Sequence, residues 1–336
     1  MIFKRGTLTV LFVGLGMGML ILDSKTALQG ASEGINVCLY TVIPSLFPFI
    51  FLSVLLTESL LGQRIVPLRF LCKLCGIPEG AESLLAAGLL GGYPVGAQCI
   101  FQAYKLGHLP KRDAQRMLGF CNNAGPAFIF GMIGSMFPSI KYAWALWGIH
   151  IISSILVGIL LPLKSISSLI PLSTHKLSFS SALTKTIYVT ANICGWVIIF
   201  RIIISFCSRW FLWILPPTLQ TAFIGFLELA NGCCNLTNID SVHTRFILCS
   251  GFLGLGGVCV AMQTVSVTSE LGTGWYFPGK LLQCGFSIVL GIITINLLHP
   301  GKINTFLILF MLILSALILM SVLIFTKKNK KTVAIV

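Results

Sequence analysis

The chain has 336 residues, of which 56% are apolar and only 10% charged, against about 25% charged in a typical soluble domain. With a mean hydropathy of +0.95, this excludes a soluble globular fold and implies a protein that crosses a bilayer many times. The net charge of +14 does not indicate nucleic acid, because Lys and Arg collect in short cytoplasmic loops of membrane proteins and no aromatic-interleaved basic patch is present.

A spanning helix needs about 20 mostly apolar residues. In chain order, apolar segments of that kind run over Thr7–Leu22, Ile35–Leu56, Ala114–Phe137, Tyr142–Leu163, Thr186–Phe206, Arg245–Thr268, Lys280–Leu298 and Asn304–Phe325. Lys4 and Arg5 before the first resemble a signal-peptide head, but no small-x-small cleavage site follows closely, so an uncleaved span is expected. Two shorter, glycine-punctuated stretches, Ser83–Tyr104 and Leu219–Leu236, lie between the longer ones. Each follows a short amphipathic piece, Ile65–Ile77 and Arg209–Leu215 respectively.

The charge rule decides how the two short stretches behave. If both are re-entrant and the amino terminus is inside, Lys25, Lys141, Arg209, Arg245 and Lys302 lie outside and Arg201 within the membrane. The remaining 17 of the 23 Lys and Arg, Lys280 among them, lie inside. If each stretch crossed once, the division would be 12 inside to 10 outside. The re-entrant reading obeys the positive-inside rule far better. The expected fold is therefore an all-α membrane protein with about eight transmembrane helices plus two re-entrant hairpins, forming a single membrane domain. Both termini are expected to be cytoplasmic, in the cell (inner) membrane. The order of span, elbow, hairpin, broken span and span occurs in residues 35–163 and again in 186–298, followed by an extra C-terminal span at 304–326. Three crossings per unit make the second copy inverted, as in many secondary transporters.

Four glycine-rich, polar spots fall at membrane depth. Two are hairpin tips, Gly91 to Gln98 and Glu228 to Gly232. Two interrupt spans, Cys121 to Pro126 and Ser250 to Gly257. Broken helices at that depth are tolerated only when buried in protein or lining a cavity. Small residues also serve plain close packing of helices, but four such spots in matching places favour a binding site. The candidate solute-binding residues are Gly92, Tyr93, Pro94, Gly96, Gln98, Asn122, Asn123, Glu228, Asn231 and Ser250. Glu228 stands out as an acid well inside an apolar stretch, where a charge costs at least ~3 kcal/mol on insertion scales. Proton coupling, solute binding and bracing of the hairpin are all open to it. Arg201 is expected to snorkel to the interface, with pairing to Glu228 or an anionic solute as the alternative.

The twelve cysteines mostly sit in apolar runs as small hydrophobes. The lone Cys72-x-x-Cys75 has no second pair or histidine partner, so no metal or cofactor is expected. Absence of H-E-x-x-H and of paired intramembrane aspartates argues against an enzyme.

Three strings carry a family resemblance: Gly92-Tyr93-Pro94-Val95-Gly96-Ala97, Phe120-Cys121-Asn122-Asn123-Ala124-Gly125-Pro126 and Gly225-Phe226-Leu227-Glu228-Leu229-Ala230-Asn231-Gly232. Together they resemble the YlbJ family of sporulation integral membrane proteins, over roughly residues 30 to 300. That resemblance implies a nucleoside-recognition Gate domain and a layout similar to concentrative nucleoside transporters. It further implies transport of dipicolinic acid across a membrane of the developing spore. Ser often stands in that family where this chain has Gly91 and Gly125.

The function expected is a secondary membrane transporter of a small polar or anionic aromatic solute, with coupling to sodium or protons left open. The alternatives are a nucleoside-type transporter and a non-transporting membrane assembly protein. The expected partners are the lipid bilayer and a small-molecule solute, with no nucleic acid, and assembly into a homo-oligomer is left open. Cysteine labelling tests the topology. The loop at residues 164–181 should react from the cytoplasmic face and the segment around Arg209 from the other, and the reverse result would remove the inverted repeat.

Overall fold

A computed structural model describes residues 5–60, 65–161 and 178–298. The expected C-terminal span at 304–326 and most of the loop at 164–181 lie outside the described residues. Every regular element among those described is helical. We number the helices α1 (Arg5–Leu22), α2 (Ser24–Val37), α3 (Ile43–Leu60), α4 (Val66–Cys75), α5 (Glu82–Leu90), α6 (Val95–Lys105), α7 (Lys111–Met117), α8 (Ile140–Leu160), α9 (Phe179–Trp210), α10 (Pro217–Leu227), α11 (Leu229–Asn235), α12 (Val242–Leu255), α13 (Gly257–Val267) and α14 (Tyr276–Leu298).

Five of these segments are long and apolar enough to cross a membrane: Ser24–Leu56, Ile140–Leu160, Phe179–Trp210, Val242–Val267 and Tyr276–Leu298. The chain is thus a multi-pass, all-helical membrane protein. Four of the five are 22–44% buried over their most apolar window, whereas Val242–Val267 is 83% buried. The α12–α13 span is therefore the internal one, and the others carry the lipid-facing surface. The segment expected as a span at Ala114–Phe137 is not one helix. It is α7, an unwound stretch, and an irregular π and 3-10 run over Ala127–Met136.

The two glycine-punctuated stretches are helical hairpins. Their arms contain 9 and 11 residues in α5 and α6, and 11 and 7 in α10 and α11. At ~1.5 Å per residue none reaches the ~30 Å of a hydrocarbon core. In the first hairpin the arms meet at Gly88 and Gly96, both of which also press on the carbonyl of Cys121 in the unwound stretch. In the second they meet at Gly225 and Gly232. Side chains at Gly88, Gly96 or Gly232 would collide with backbone, which cannot move aside as a rotamer can, and one at Gly225 would strike the ring of Phe252.

The chain around Arg209 departs from expectation. Instead of ending near Phe206, α9 runs 32 residues to Trp210, and only a 3-10 turn at Leu212–Ile214 follows. Arg201 pairs with Glu33 of α2, its Nε donating to Oε2 at 3.0 Å. The same two helices close on each other through Gly30 and Gly34, whose missing side chains let Ile202 and Ile198 approach. Gly30-x-x-x-Gly34 is the small-residue spacing that permits close helix contact in membranes. The salt bridge and that contact fix α2 on α9, with Arg209 on Asp23 at 2.9 Å adding a second clasp.

The hairpin glycines give a direct test. Gly96→Leu should lose roughly 1–3 kcal/mol or more of stability from overpacking, whereas Gly195, with open space around it, should accept Leu with little change. Thermal unfolding in detergent measures both. Equal melting temperatures for the two variants would mean that the hairpin is not seated on the Cys121 carbonyl.

Candidate functional site

The two hairpin tips and the two span interruptions converge. At the first tip, Gly92 takes the left-handed φ of +78°. A Cβ there would stand 3.2 Å from the amide nitrogen of Gly125 in the unwound stretch. At the second, the α10 carbonyls of Gly225 and Phe226 abut Gly257, each 3.1 Å from where its Cβ would be. Gly256, also left-handed at +79°, ends α12 there. Tyr93 ties the two pairs together, its hydroxyl donating to the carbonyl of Leu253 in α12 at 3.1 Å. A small cavity of about 50 Å³ sits where they meet, lined among others by Gly91, Gly92, Tyr93, Gly125, Glu228 and Gln263.

Glu228 is 3% exposed and forms the break between α10 and α11. Its extended backbone makes it the N-cap of α11, and its carboxyl accepts from Ala230 N at 3.0 Å and Asn231 N at 2.6 Å. The Asn231 side chain adds a third donor, 2.7 Å from Oε2. Glu228 and Asn231 therefore act as one unit that closes the second tip. Arg201 is engaged with Glu33, so the alternative pairing of Arg201 with Glu228 does not form. Glu228 is also not the one buried acid, because Glu82, at the head of α5, is 1% exposed.

Asn122 and Asn123 are fully buried behind the cavity. Asn122 donates to Thr264 Oγ1 at 2.9 Å, linking the first interruption to α13. Asn123 belongs to a network that satisfies the unwound backbone. It donates to the Phe120 carbonyl at 2.7 Å, Ser154 donates to the same oxygen at 2.6 Å, and Ala124 N donates to His150 Nε2 at 2.9 Å. Gln283 of α14 donates to Asn123 Oδ1 at 2.8 Å.

Lys280 was counted among the cytoplasmic loop lysines, and the structure corrects this. The helix α14 starts at Tyr276, so Lys280 sits within it, 2% exposed. Its ammonium donates to Gln283 Oε1 at 2.7 Å and Tyr93 Oη at 3.3 Å, and lies 5.0 Å from the Tyr93 ring centre. Its partners are neutral, and among the described residues no carboxylate pairs with it. A signal for this network was present in the sequence. His150, Ser153 and Ser154 recur at helical spacing in one apolar span, and Lys280, Gln283 and Ser287 in another.

The remaining candidates lie apart. Pro94 starts α6 behind the tip, and Gly96 is a packing contact. Gln98 is half-buried and lines a different cavity. Ser250 donates to Phe246 O of its own helix at 2.8 Å and packs against Gly291 of α14. Its neighbours Gly251 and Gly254 likewise face α14, so only Gly256 and Gly257 of that string form the interruption. Cys72 and Cys75 are buried free thiols, and burial pushes them up to about 12 and about 11, the state of inert cysteines.

Comparison with known proteins found one informative relative. The chain is 23% identical over 316 aligned residues to the sporulation integral membrane protein YlbJ of Bacillus subtilis (strain 168), covering 79% of this chain and 76% of that protein. The resemblance read from the motifs is borne out by this match, which makes the chain similar to a sporulation-related integral membrane protein. No family model matches, and no solved structure matches.

The Glu228 cap predicts a graded loss. Glu228→Ala leaves the amides of Ala230 and Asn231 without their acceptor and should cost about 1–2 kcal/mol, while Glu228→Gln, which keeps one side-chain oxygen, should cost less. Detergent unfolding of the two variants checks the order, and equal stability of Ala and wild type would dissociate Glu228 from the tip.

Proposed function

We propose that this chain is a secondary transporter of a small polar or anionic aromatic solute, by family resemblance dipicolinic acid in sporulation. The observation that carries this reading is the convergence of two hairpin tips and two helix interruptions on one cavity. A protein that only needed to fill a bilayer has no use for four breaks in its buried helices, each of which has to be accommodated in the interior. Broken helices at a shared centre offer backbone groups and helix ends to a solute, and hairpins provide elements that can move around it. Lys280 and Glu228 supply one cationic and one acidic side chain in that interior, on different elements.

We further infer an inverted repeat over residues 35–163 and 186–298, with the chain in the cell membrane and both termini cytoplasmic. The Gate-domain likeness is part of the same reading. The central cavity, about 50 Å³, has room for a few water molecules, whereas small-molecule pockets start at roughly 300 Å³. Solute binding therefore requires the hairpins to separate from the interruptions. A second reading, a non-transporting assembly protein, draws on the Glu228 cap, since three donors from its own hairpin already account for that carboxyl.

Uptake into vesicles containing the purified protein decides between them. Dipicolinate should accumulate in a protein-dependent way that an imposed sodium or pH gradient alters, and nucleosides should compete poorly. Lys280→Met should abolish uptake at matched protein levels. No uptake of dipicolinate or nucleosides under any gradient would leave the assembly reading standing.

A further inference from the structure

The short helix α4 has three faces of different character. Cys72 and Cys75 point into the protein, 2% and 0% exposed. Val66, Phe70 and Leu74, spaced four apart and so stacked in one row, point out of it, 75%, 68% and 41% exposed. Arg69 and Lys73, each three residues after a member of that row, form the row beside it. Arg69 pairs with Glu79, just past the helix. Lys73 is exposed, and among the described residues no carboxylate pairs with it.

The inner face is fixed by Arg116, a buried guanidinium in the last turn of α7. Its Nη2 donates to Cys75 O and, at 2.6 Å, to Gly158 O. Its Nη1 donates to Gly76 O and its Nε to Leu161 O, both at 3.3 Å. These carbonyls belong to the ends of α4 and α8, and a cation suits the negative ends of two helices. Gly158 adds a close approach, since a Cβ there would stand 2.8 Å from Cys75 Sγ. The helix α4 is thus bracketed by two span ends. It follows α3, which ends at Leu60, and its own last turn is bolted to the last turn of α8. Its 10 residues rise about 15 Å, half of the ~30 Å core, so α4 does not cross. A short helix where spans leave the bilayer, with an apolar row outward and a lysine beside it, fits the interface between acyl chains and headgroups.

We propose that α4 is an interfacial anchor for anionic phospholipid, with Val66, Phe70 and Leu74 among the acyl chains and the Lys73 ammonium on the headgroup phosphate. A lysine stem lies along apolar surface while its head reaches the phosphates. A headgroup with net negative charge draws that ammonium more strongly than phosphatidylcholine, which carries its own cation. The anchor is independent of what the protein transports. Lipid held on α4 also steadies the carbonyls that Arg116 binds, so melting of the purified full chain in a neutral detergent reports it. Added phosphatidylglycerol should raise the melting temperature several degrees more than phosphatidylcholine with the same acyl chains. Lys73→Gln should lose most of that difference, while Lys141→Gln, at the opposite end of α8, should keep it. An undiminished difference in Lys73→Gln, or the same gain from inorganic phosphate, would overturn the headgroup site. In vesicles of the two lipids, the full chain with Phe70 replaced by photoreactive p-benzoylphenylalanine should cross-link to phospholipid. Cross-links instead to residues 299–336 of the same chain or to a second copy, or none to lipid, would overturn the anchor.

Discussion

The fold depends on satisfying backbone that is not in a helix while it is buried. Between α7 and Ala127 the chain unwinds in the interior, where an amide or carbonyl left unpaired costs about 1–3 kcal/mol and more in hydrocarbon. The chain answers with side chains from its neighbours. Phe120 O accepts from both Asn123 and Ser154, and Ala124 N finds His150. Gln283 then holds Asn123 in place, and Ser287 donates to Ser153 at 2.9 Å. Thus α8 and α14, apolar over most of their surface, each turn one polar stripe to the unwound segment. Without those stripes the interruption could not exist, and without the interruption the first hairpin would have no seat.

The second interruption is solved differently, by subtraction rather than by added polar groups. Gly256 and Gly257 leave space that the carbonyl ends of α10 occupy, and Gly225 and Gly232 let the arms of that hairpin touch. Gly88 and Gly96 do the same for the first hairpin against Cys121. Tyr93 is a large side chain that reaches across the junction. It bonds across to Leu253 and accepts from Lys280, so the first tip is held by the second broken span and by α14 together. Displacement of the first tip has to break that tyrosine's bonds or carry its partners along.

Much of this was legible in the sequence. The lengths of the apolar runs fixed the class, and clustered Gly, Pro and Asn marked the tips and interruptions, because no continuous helix would place them there. Three features were hidden by the way charge and hydropathy are read along a line. A hydropathy window ends a span at a charge, so Lys280 became a loop residue, although Tyr276 begins a helix that carries it inward. Glycines look alike whether they break a helix or let two helices touch, and Ser250 to Gly257 contains both kinds in eight residues. Arg201 and Glu33 are 168 positions apart, and nothing local announces that they meet. His150, by contrast, was readable: with Ser153 and Ser154 it forms a stripe at helical spacing that an apolar span has no other reason to carry.

The arrangement of charge in the interior bears on what such a structure is for. Glu228 and Lys280 are both buried, yet they do not pair. Glu228 is held by three N–H donors of its own hairpin, and Lys280 by a carboxamide, a hydroxyl and an aromatic face. Neutral dipoles make a buried charge tolerable without cancelling it, and replacing such a group with a well-packed apolar one of similar volume is often neutral or stabilising. A static scaffold would gain by that replacement, or by bringing acid and base together as α2 and α9 do with Glu33 and Arg201. Keeping the two apart, with Glu228 at one hairpin tip lining the small cavity and Lys280 behind Tyr93 of the other, leaves an acid and a base in the interior that neutral groups hold separately.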